Sequence, residues 1–158
     1  MLQFVEATTD EQFKMAAELF KEYAAQIKVD LSFQNFEKEL IEIKEQYARP
    51  TGVLFVLHHM DKIPMGCFGI RKFEGTICEL KRMYLKEALR GKGLGKTLVT
   101  KAIESGKALQ YTKMRLDTLP TMKTAISLYQ KMGFYEIAAY RFNPIEGTKY
   151  FEIHLQNK

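Results

Sequence analysis

Residues 79–96 read Glu79-Leu80-Lys81-Arg82-Met83-Tyr84-Leu85-Lys86-Glu87-Ala88-Leu89-Arg90-Gly91-Lys92-Gly93-Leu94-Gly95-Lys96, and their reading decides the rest of the chain. The alternating segment 76–85 has the pattern of a strand, and residues 96–109 carry apolar side chains at helical spacing. Between them glycine returns at every second position, Gly91, Gly93 and Gly95. A strand feeding a glycine turn that opens a helix is a physical device for holding phosphate. Glycines let backbone N–H groups approach an anion, and the helix N-terminus adds positive potential.

Charge points the same way. The chain is +5 overall, yet residues 81–115 carry ten basic side chains against Glu87 and Glu104, a local +8. Residues 10–47 are acidic, with nine acids and five bases. A basic zone can serve nucleic acid, an anionic cofactor or solubility; its coincidence with the glycine turn favours a bound anion. With 158 residues and 46% apolar content, one domain spanning residues 1–158 is expected. The longest apolar runs, such as residues 52–57, are too short to cross a bilayer, so no membrane association is expected. The opening Met1-Leu2-Gln3-Phe4 has no basic region followed by an apolar one, so no secretory leader is expected. Cys67 and Cys78 fall inside apparent strands and read as buried reduced thiols, which fits a cytoplasmic protein.

Outward from the glycine turn, the other elements follow. Residues 2–6 read as a strand. Thr8 and Glu11 stand at capping-box spacing before the stripe Phe13, Ala16, Phe20, Tyr23 and Ile27, an amphipathic helix. Ser32 caps an expected second helix with the stripe Phe33, Phe36, Leu40, Ile43 and Tyr47, ended by Pro50. Residues 53–58, 63–72 and 76–85 form a meander with turns at Met60-Asp61-Lys62 and Glu74-Gly75. Residues 113–118 form a strand, and a helix carrying Ala125, Leu128, Tyr129 and Met132 ends at Gly133. Strands at 134–139 and 148–155 complete the order β-α-α-β-β-β-α-β-α-β-β. The expected fold is an α/β, mostly antiparallel mixed sheet with a central parallel β-α-β crossover.

Three phosphate ligands compete for residues 90–97. A nucleoside-triphosphate loop needs G-x-x-x-x-G-K-[ST]; Gly95-Lys96-Thr97 supplies the end, but Arg90 occupies the first glycine position. The preceding strand also alternates, whereas such loops follow strands buried on both faces. The dinucleotide fingerprint G-x-G-x-x-G fails at Lys96 in one frame and at Leu98 in the other. The third ligand is coenzyme A. Arg90-Gly91-Lys92-Gly93-Leu94-Gly95 matches [RQ]-x-x-G-x-[GA], and Ala125-Ile126-Ser127-Leu128-Tyr129-Gln130-Lys131-Met132-Gly133-Phe134 matches A-x-x-L-Y-x-x-x-G-F. On these two segments the sequence resembles the GNAT superfamily of N-acetyltransferases, with the motif-bearing match covering roughly residues 78–137. Many members have asparagine three residues before the alanine. Here Met122 stands there, so the contact of that side chain with the pantetheine arm is not carried over.

The resemblance implies an acetyl-CoA-dependent N-acetyltransferase acting on a primary amine of a small molecule or peptide, with acetyl-CoA as co-substrate and no metal. By that resemblance the fourth and fifth strands splay, and the thioester arm lies along Met83, Tyr84 and Leu85. The amides of Gly91, Lys92, Gly93, Leu94, Gly95 and Lys96 would hold the pyrophosphate, Arg90, Lys92 and Lys96 would add charge, and Ala125 and Tyr129 would close the site. Lys92 as a merely solvated lysine stays open. Tyr129 matches the family tyrosine placed to protonate the departing thiolate; a hydrogen-bond donor to charge developing on sulfur and a core aromatic are the alternatives. Glu79 is the carboxylate chosen to deprotonate the amine, directly or through water; a structural strand glutamate paired with lysine or arginine is the alternative. Arg141 and Asn143 line the expected acceptor end, where Arg141 either holds an acceptor carboxylate or is a surface arginine. The acidic first two helices either attract a cationic acceptor or form a solvated face. His58, His59 and His154 share no metal-ligand spacing. Dimers are common in the family, so a homodimer is allowed. Two other functions stay in view. One is a non-catalytic acyl-CoA-binding regulatory domain, against which Glu79 and Tyr129 both speak. The other is a nucleic-acid-binding module, for which interleaved aromatics and a motif are missing, so no nucleic-acid partner is expected.

Overall fold

The meander read from residues 53–85 is the centre of one seven-stranded sheet. A computed structural model describes residues 2–28, 30–61 and 63–155, with the side chains of Phe33 and Gln34 excepted. Lys62 of the expected turn and the Phe33 side chain of the expected stripe lie outside the described residues. The elements are β1 (Gln3–Glu6), α1 (Asp10–Ile27), α2 (Phe36–Ile41), α3 (Ile43–Gln46), β2 (Val53–His58), β3 (Pro64–Glu74), β4 (Ile77–Leu85), α4 (Leu94–Ala108), β5 (Lys113–Thr118), α5 (Lys123–Lys131), β6 (Tyr135–Ile137) and β7 (Lys149–His154). Strands lie in the order β1-β2-β3-β4-β5-β7-β6. All neighbours are antiparallel except β4 and β5, the expected parallel pair.

Period-2 alternation assigns the strand residues to two cores. Val53, Phe55 and Leu57 of β2 join Phe68, Ile70, Cys78 and Leu80 beneath α4 and α5. Leu54 and Val56 join Cys67 on the opposite face beneath α1, against Phe13, Ala16, Phe20 and Tyr47. Full burial of each large side chain in either core contributes roughly 1.5–3 kcal/mol. Both cysteines are free and buried. Burial pushes the Cys78 thiol up to about 12 and raises Cys67 as well, so neither is a ready nucleophile.

Three local expectations are corrected. The capping box of α1 uses Thr9 and Gln12, one residue after the expected pair: Thr9 Oγ1 accepts from the Gln12 amide, and Gln12 Oε1 accepts from the Thr9 amide. The second helix is broken into a 3-10 turn (Leu31–Gln34), α2 and α3, because Asn35 takes a left-handed φ of 57° and Glu42 interrupts the next turn. The strand expected at 134–139 is limited to Tyr135–Ile137.

One irregularity positions the site. Between Cys67 and Gly69 the β3–β4 register slips, with Arg82 at φ 57°, a bulge in β4. A non-glycine residue held there carries backbone strain. The Arg82 guanidinium offsets it by pairing with Glu39 of α2, Nη2 to Oε1 at 2.7 Å and Nε to Oε2 at 3.2 Å. Tyr47 donates to the same carboxylate at 2.7 Å. Its ring lies so close over Gly69 that a Cβ there would meet ring carbons at 2.4 and 2.6 Å. Glycine in β3 thus makes room for the tyrosine that steadies Glu39, which holds the bulge.

Candidate active site

β4 and β5 pair only where Ile77, Cys78 and Glu79 face Lys113, Met114 and Arg115. Beyond that point β4 stays with β3 and β5 stays with β7. The gap between them is a cleft of about 1030 Å³ whose wall includes Leu80, Met83, Leu85, Leu116, Asp117 and Tyr129. The glycine turn closes one end. Gly91 and Gly93 have φ of 76° and 75°, and a Cβ on either would meet nothing, so conformation rather than crowding requires glycine. Gly93 is the N-cap of α4 and offers no side chain to its first amides. Those amides therefore remain available to an anion at the cleft mouth.

Of the residues expected to hold the coenzyme, Met83, Tyr84, Leu85, Arg90, Gly91, Gly93, Gly95, Lys96, Ala125 and Tyr129 line the cleft. Lys92 and Leu94 do not. Lys92 is an exposed residue of the turn, and Leu94 packs against the core beneath α4. Arg90 leans toward α1: its Nε donates to the Leu85 carbonyl at 2.9 Å, its Nη2 to Gln26, and the guanidinium lies 5.8 Å from the Tyr84 ring centre. Met122 is the N-cap of α5 without a side-chain cap, and its sulfur accepts from Thr118 Oγ1 at 3.5 Å.

Tyr129 is buried, wedged edge-on against Phe134 with ring centres 5.6 Å apart. The residue also lines the cleft. Burial raises the phenol above its ordinary value, so it stays a donor at any physiological pH.

Glu79 has a setting different from the one expected of a base. It is not among the residues lining the cleft, and its side chain is only 1% exposed. Arg71 reaches its Oε1 at 3.3 Å, Arg141 its Oε2 at 2.6 Å, and the Tyr140 hydroxyl donates to Oε2 at 3.0 Å. Burial alone would raise this carboxyl, but Lys81, Arg141 and Arg71 outweigh it and hold it at about 2. The strand-glutamate alternative is the one the geometry matches. Beside it, burial pushes Lys81 down to about 8, against the pull of Glu79 at 3.9 Å and Asp117 at 3.8 Å. Asp117 lines the cleft and accepts from Arg141 Nη1 at 3.2 Å. Arg141 thus reaches the expected acceptor end, whereas Asn143 caps its own loop through the Ile145 amide.

Asp117 and Lys81 went unread in the sequence. The available signal was weak: an acid on the polar phase of the alternating strand Lys113–Thr118, facing a lysine on the polar phase of β4. Among the described residues no three His, Cys, Asp or Glu side chains assemble a metal site, and no helix is long and apolar enough to cross a membrane.

A splayed parallel pair with an uncapped, glycine-led helix at its mouth defines an acyl-CoA-type transferase architecture. The family described as Acetyltransferase (GNAT) family matches residues 14–134, and the chain belongs to it. Among relatives, Uncharacterized N-acetyltransferase C1271.07c of Schizosaccharomyces pombe is 35% identical over 146 residues, covering 92% of this chain and 88% of that protein. The N-acetylaspartate synthetase of Homo sapiens is 29% identical over 102 residues, 64% of this chain and 34% of that protein. Vibrio cholerae spermidine N-acetyltransferase, solved with CoA and spermine, superposes with a TM-score of 0.70 at 18% identity, covering 98% of this chain and 95% of that one. The protein is an acyl-CoA-dependent N-acetyltransferase.

Proposed function

We propose that the enzyme transfers acetyl from acetyl-CoA to the primary amine of a small molecule or peptide inside the β4–β5 cleft. The observation that carries this is what the cleft brings together: the glycine turn with the uncapped α4 amides behind it, Tyr129 and Asp117. Bound acetyl-CoA supplies a thioester whose carbonyl carbon accepts the amine and whose thiolate departs. The first amides of α4, with Arg90 and Lys96, hold its phosphates, and the open edge of β4 at residues 83–85 holds its arm.

Tyr129 donates a hydrogen bond to the departing sulfur. Full proton transfer from an ordinary phenol to an ordinary thiolate is already uphill by about 2 kcal/mol, and burial of Tyr129 widens the gap. Its contribution is therefore stabilisation of charge that develops in the transition state. The proton of the attacking amine leaves through Asp117, which lines the cleft, to Lys81, which lies behind it at 3.8 Å outside the cleft wall, rather than to Glu79. Moving a proton from an alkylammonium to a group at about 8 costs roughly 3 kcal/mol, against roughly 11 kcal/mol to one at about 2.

Thiol release from acetyl-CoA with a panel of amines tests the reading. Tyr129→Phe is expected to slow kcat at least about tenfold with KM for acetyl-CoA nearly unchanged. Lys81 must be neutral to accept a proton, so kcat rises with pH through about 8 and then levels. Lys81→Met should remove that rise. Unchanged turnover in Tyr129→Phe would take the tyrosine out of the mechanism.

A further inference from the structure

A row of side chains crosses five strands in register on the α1 face of the sheet. Arg71 of β3 stands opposite Glu79 of β4, Glu79 opposite Arg115 of β5, Arg115 opposite Glu152 of β7, and Glu152 opposite Tyr135 of β6. The row alternates cation and anion, and its members bond sideways. Arg71 reaches Glu79 at 3.3 Å, Arg115 Nε donates to Glu152 at 2.7 Å, and Tyr135 donates to Glu152. Arg141, from the segment between β6 and β7, completes it by bridging Glu79 and Asp117. Tyr140 ties the arginines together: Arg115 and Arg141 lie 5.5 and 5.3 Å from its ring centre, and its hydroxyl donates to Glu79.

The row is not neutral toward solvent. The side chains of Arg71, Arg115 and Arg141 are 19%, 22% and 21% exposed, whereas those of Glu79 and Glu152 are 1% and 7% exposed. The acids lie underneath and the guanidiniums form the surface. Each guanidinium has five donors in a planar fork. Arg115 uses its Nε on Glu152 and lies against the rings of Phe73 and Tyr140, and its two terminal nitrogens have no hydrogen-bond partner among the described residues. This cationic surface touches the cleft at one point, Asp117, which lines the cleft and lies 3.2 Å from Arg141 Nη1.

We infer that the acceptor is an aminocarboxylate, its carboxylate held by Arg115 and Arg141 and its amine held beside Asp117 at the cleft. A planar guanidinium fork matches a carboxylate. Arg115 supplies that fork, while Arg141, whose terminal nitrogens bond Glu79 and Asp117, adds positive charge beside it. Because Arg141 and Asp117 are in contact, the amine and carboxylate of the acceptor are separated by only a short spacer, as in an α- or β-amino acid. A polyamine has no group for the arginines and would meet them as like charges. This inference rests on the transferase reading above and narrows its acceptor.

The test compares matched acceptors on the full chain with acetyl-CoA by thiol release: aspartate, glutamate and glycine, their carboxamides, and spermidine. The expected result is a kcat/KM at least about thirtyfold higher for the best aminocarboxylate than for its amide, from charge-assisted bonds lost in the amide. Arg115→Gln should raise KM for that acceptor about tenfold with kcat little changed and leave the amide's KM unmoved, while Arg115→Lys recovers part of the loss. Melting temperatures of both variants separate misfolding from lost binding, and the wild-type acceptor ratio stands without either. Equal or better turnover of the amides or spermidine would overturn the aminocarboxylate inference and leave the transferase standing. Calorimetric binding of acetyl-CoA with no amine acetylated would overturn the transferase reading itself.

Discussion

Two buried carboxylates, Glu39 and Glu79, are both held ionised by arginine, yet they serve different ends. Glu39 meets one guanidinium, Arg82, and both side chains are closed from solvent, at 1% and 3% exposure. Burial raises the Glu39 carboxyl, Arg82 lowers it, and the arginine prevails. Around that pair, Tyr47 donates to Glu39 and the Arg82 guanidinium lies 5.1 Å from the Phe36 ring centre. Glu79 meets Arg71, Lys81 and Arg141, and its arginines keep one side open. A closed pair fixes backbone geometry. An over-subscribed carboxylate with cations at the surface instead presents positive charge to whatever comes next.

The largest test of this contrast is the closed pair. Arg82→Met leaves Glu39 buried without its counter-charge and should cost about 3–5 kcal/mol of unfolding free energy, read from urea denaturation. Combining it with Glu39→Leu should recover much of that loss, since an apolar pair removes the uncompensated charge. Failure of the double variant to recover would mean that the bulge itself depends on the ion pair.

Glu79 gives the next effect, through acid. Its folded carboxyl lies near about 2, below the ordinary value of 4.5. A depressed carboxyl stabilises the fold above its unfolded value and loses that contribution as pH falls through the folded one. On the order of 3 kcal/mol should therefore disappear between about pH 4.5 and pH 2. Stability curves of wild type and Glu79→Gln should converge toward pH 2. Parallel curves would show that Glu79 is not the group responsible.

Arg71→Gln should have the smallest effect, about 1 kcal/mol, because Arg141 and Lys81 still hold Glu79 and the Arg71 tip is partly solvated. A loss as large as that of Arg82→Met would erase the distinction between the two carboxylates.

Much of the frame was legible along the chain because its causes are local. Alternation over residues 53–85 marks strands whose faces meet different cores, and the spacing of Leu98, Val99 and Ala102 marks the buried side of α4. Gly91 and Gly93 announce left-handed turns by their missing side chains. Where two local signals overlapped, the reading slipped by one: Thr8–Glu11 and Thr9–Gln12 both have capping spacing, and packing selected the second. The apolar stripe from Phe36 to Tyr47 was correct, but its continuity was not, because Asn35 and Glu42 reset the backbone to bring Glu39 under Arg82.

The sequence by itself determined the strand and helix order and the left-handed glycine turn ahead of α4, since periodicity and missing side chains act over a few residues. Only the tertiary structure decided which cations surround Glu79. It sits in β4, but the residues that set its charge come from β3, from the same strand two positions on, and from the segment after β6. Charge is long-ranged and additive over neighbours, so a carboxylate's role depends on which cations the fold brings to it. The same folding placed Asp117 at the cleft and turned three distant arginines into one surface.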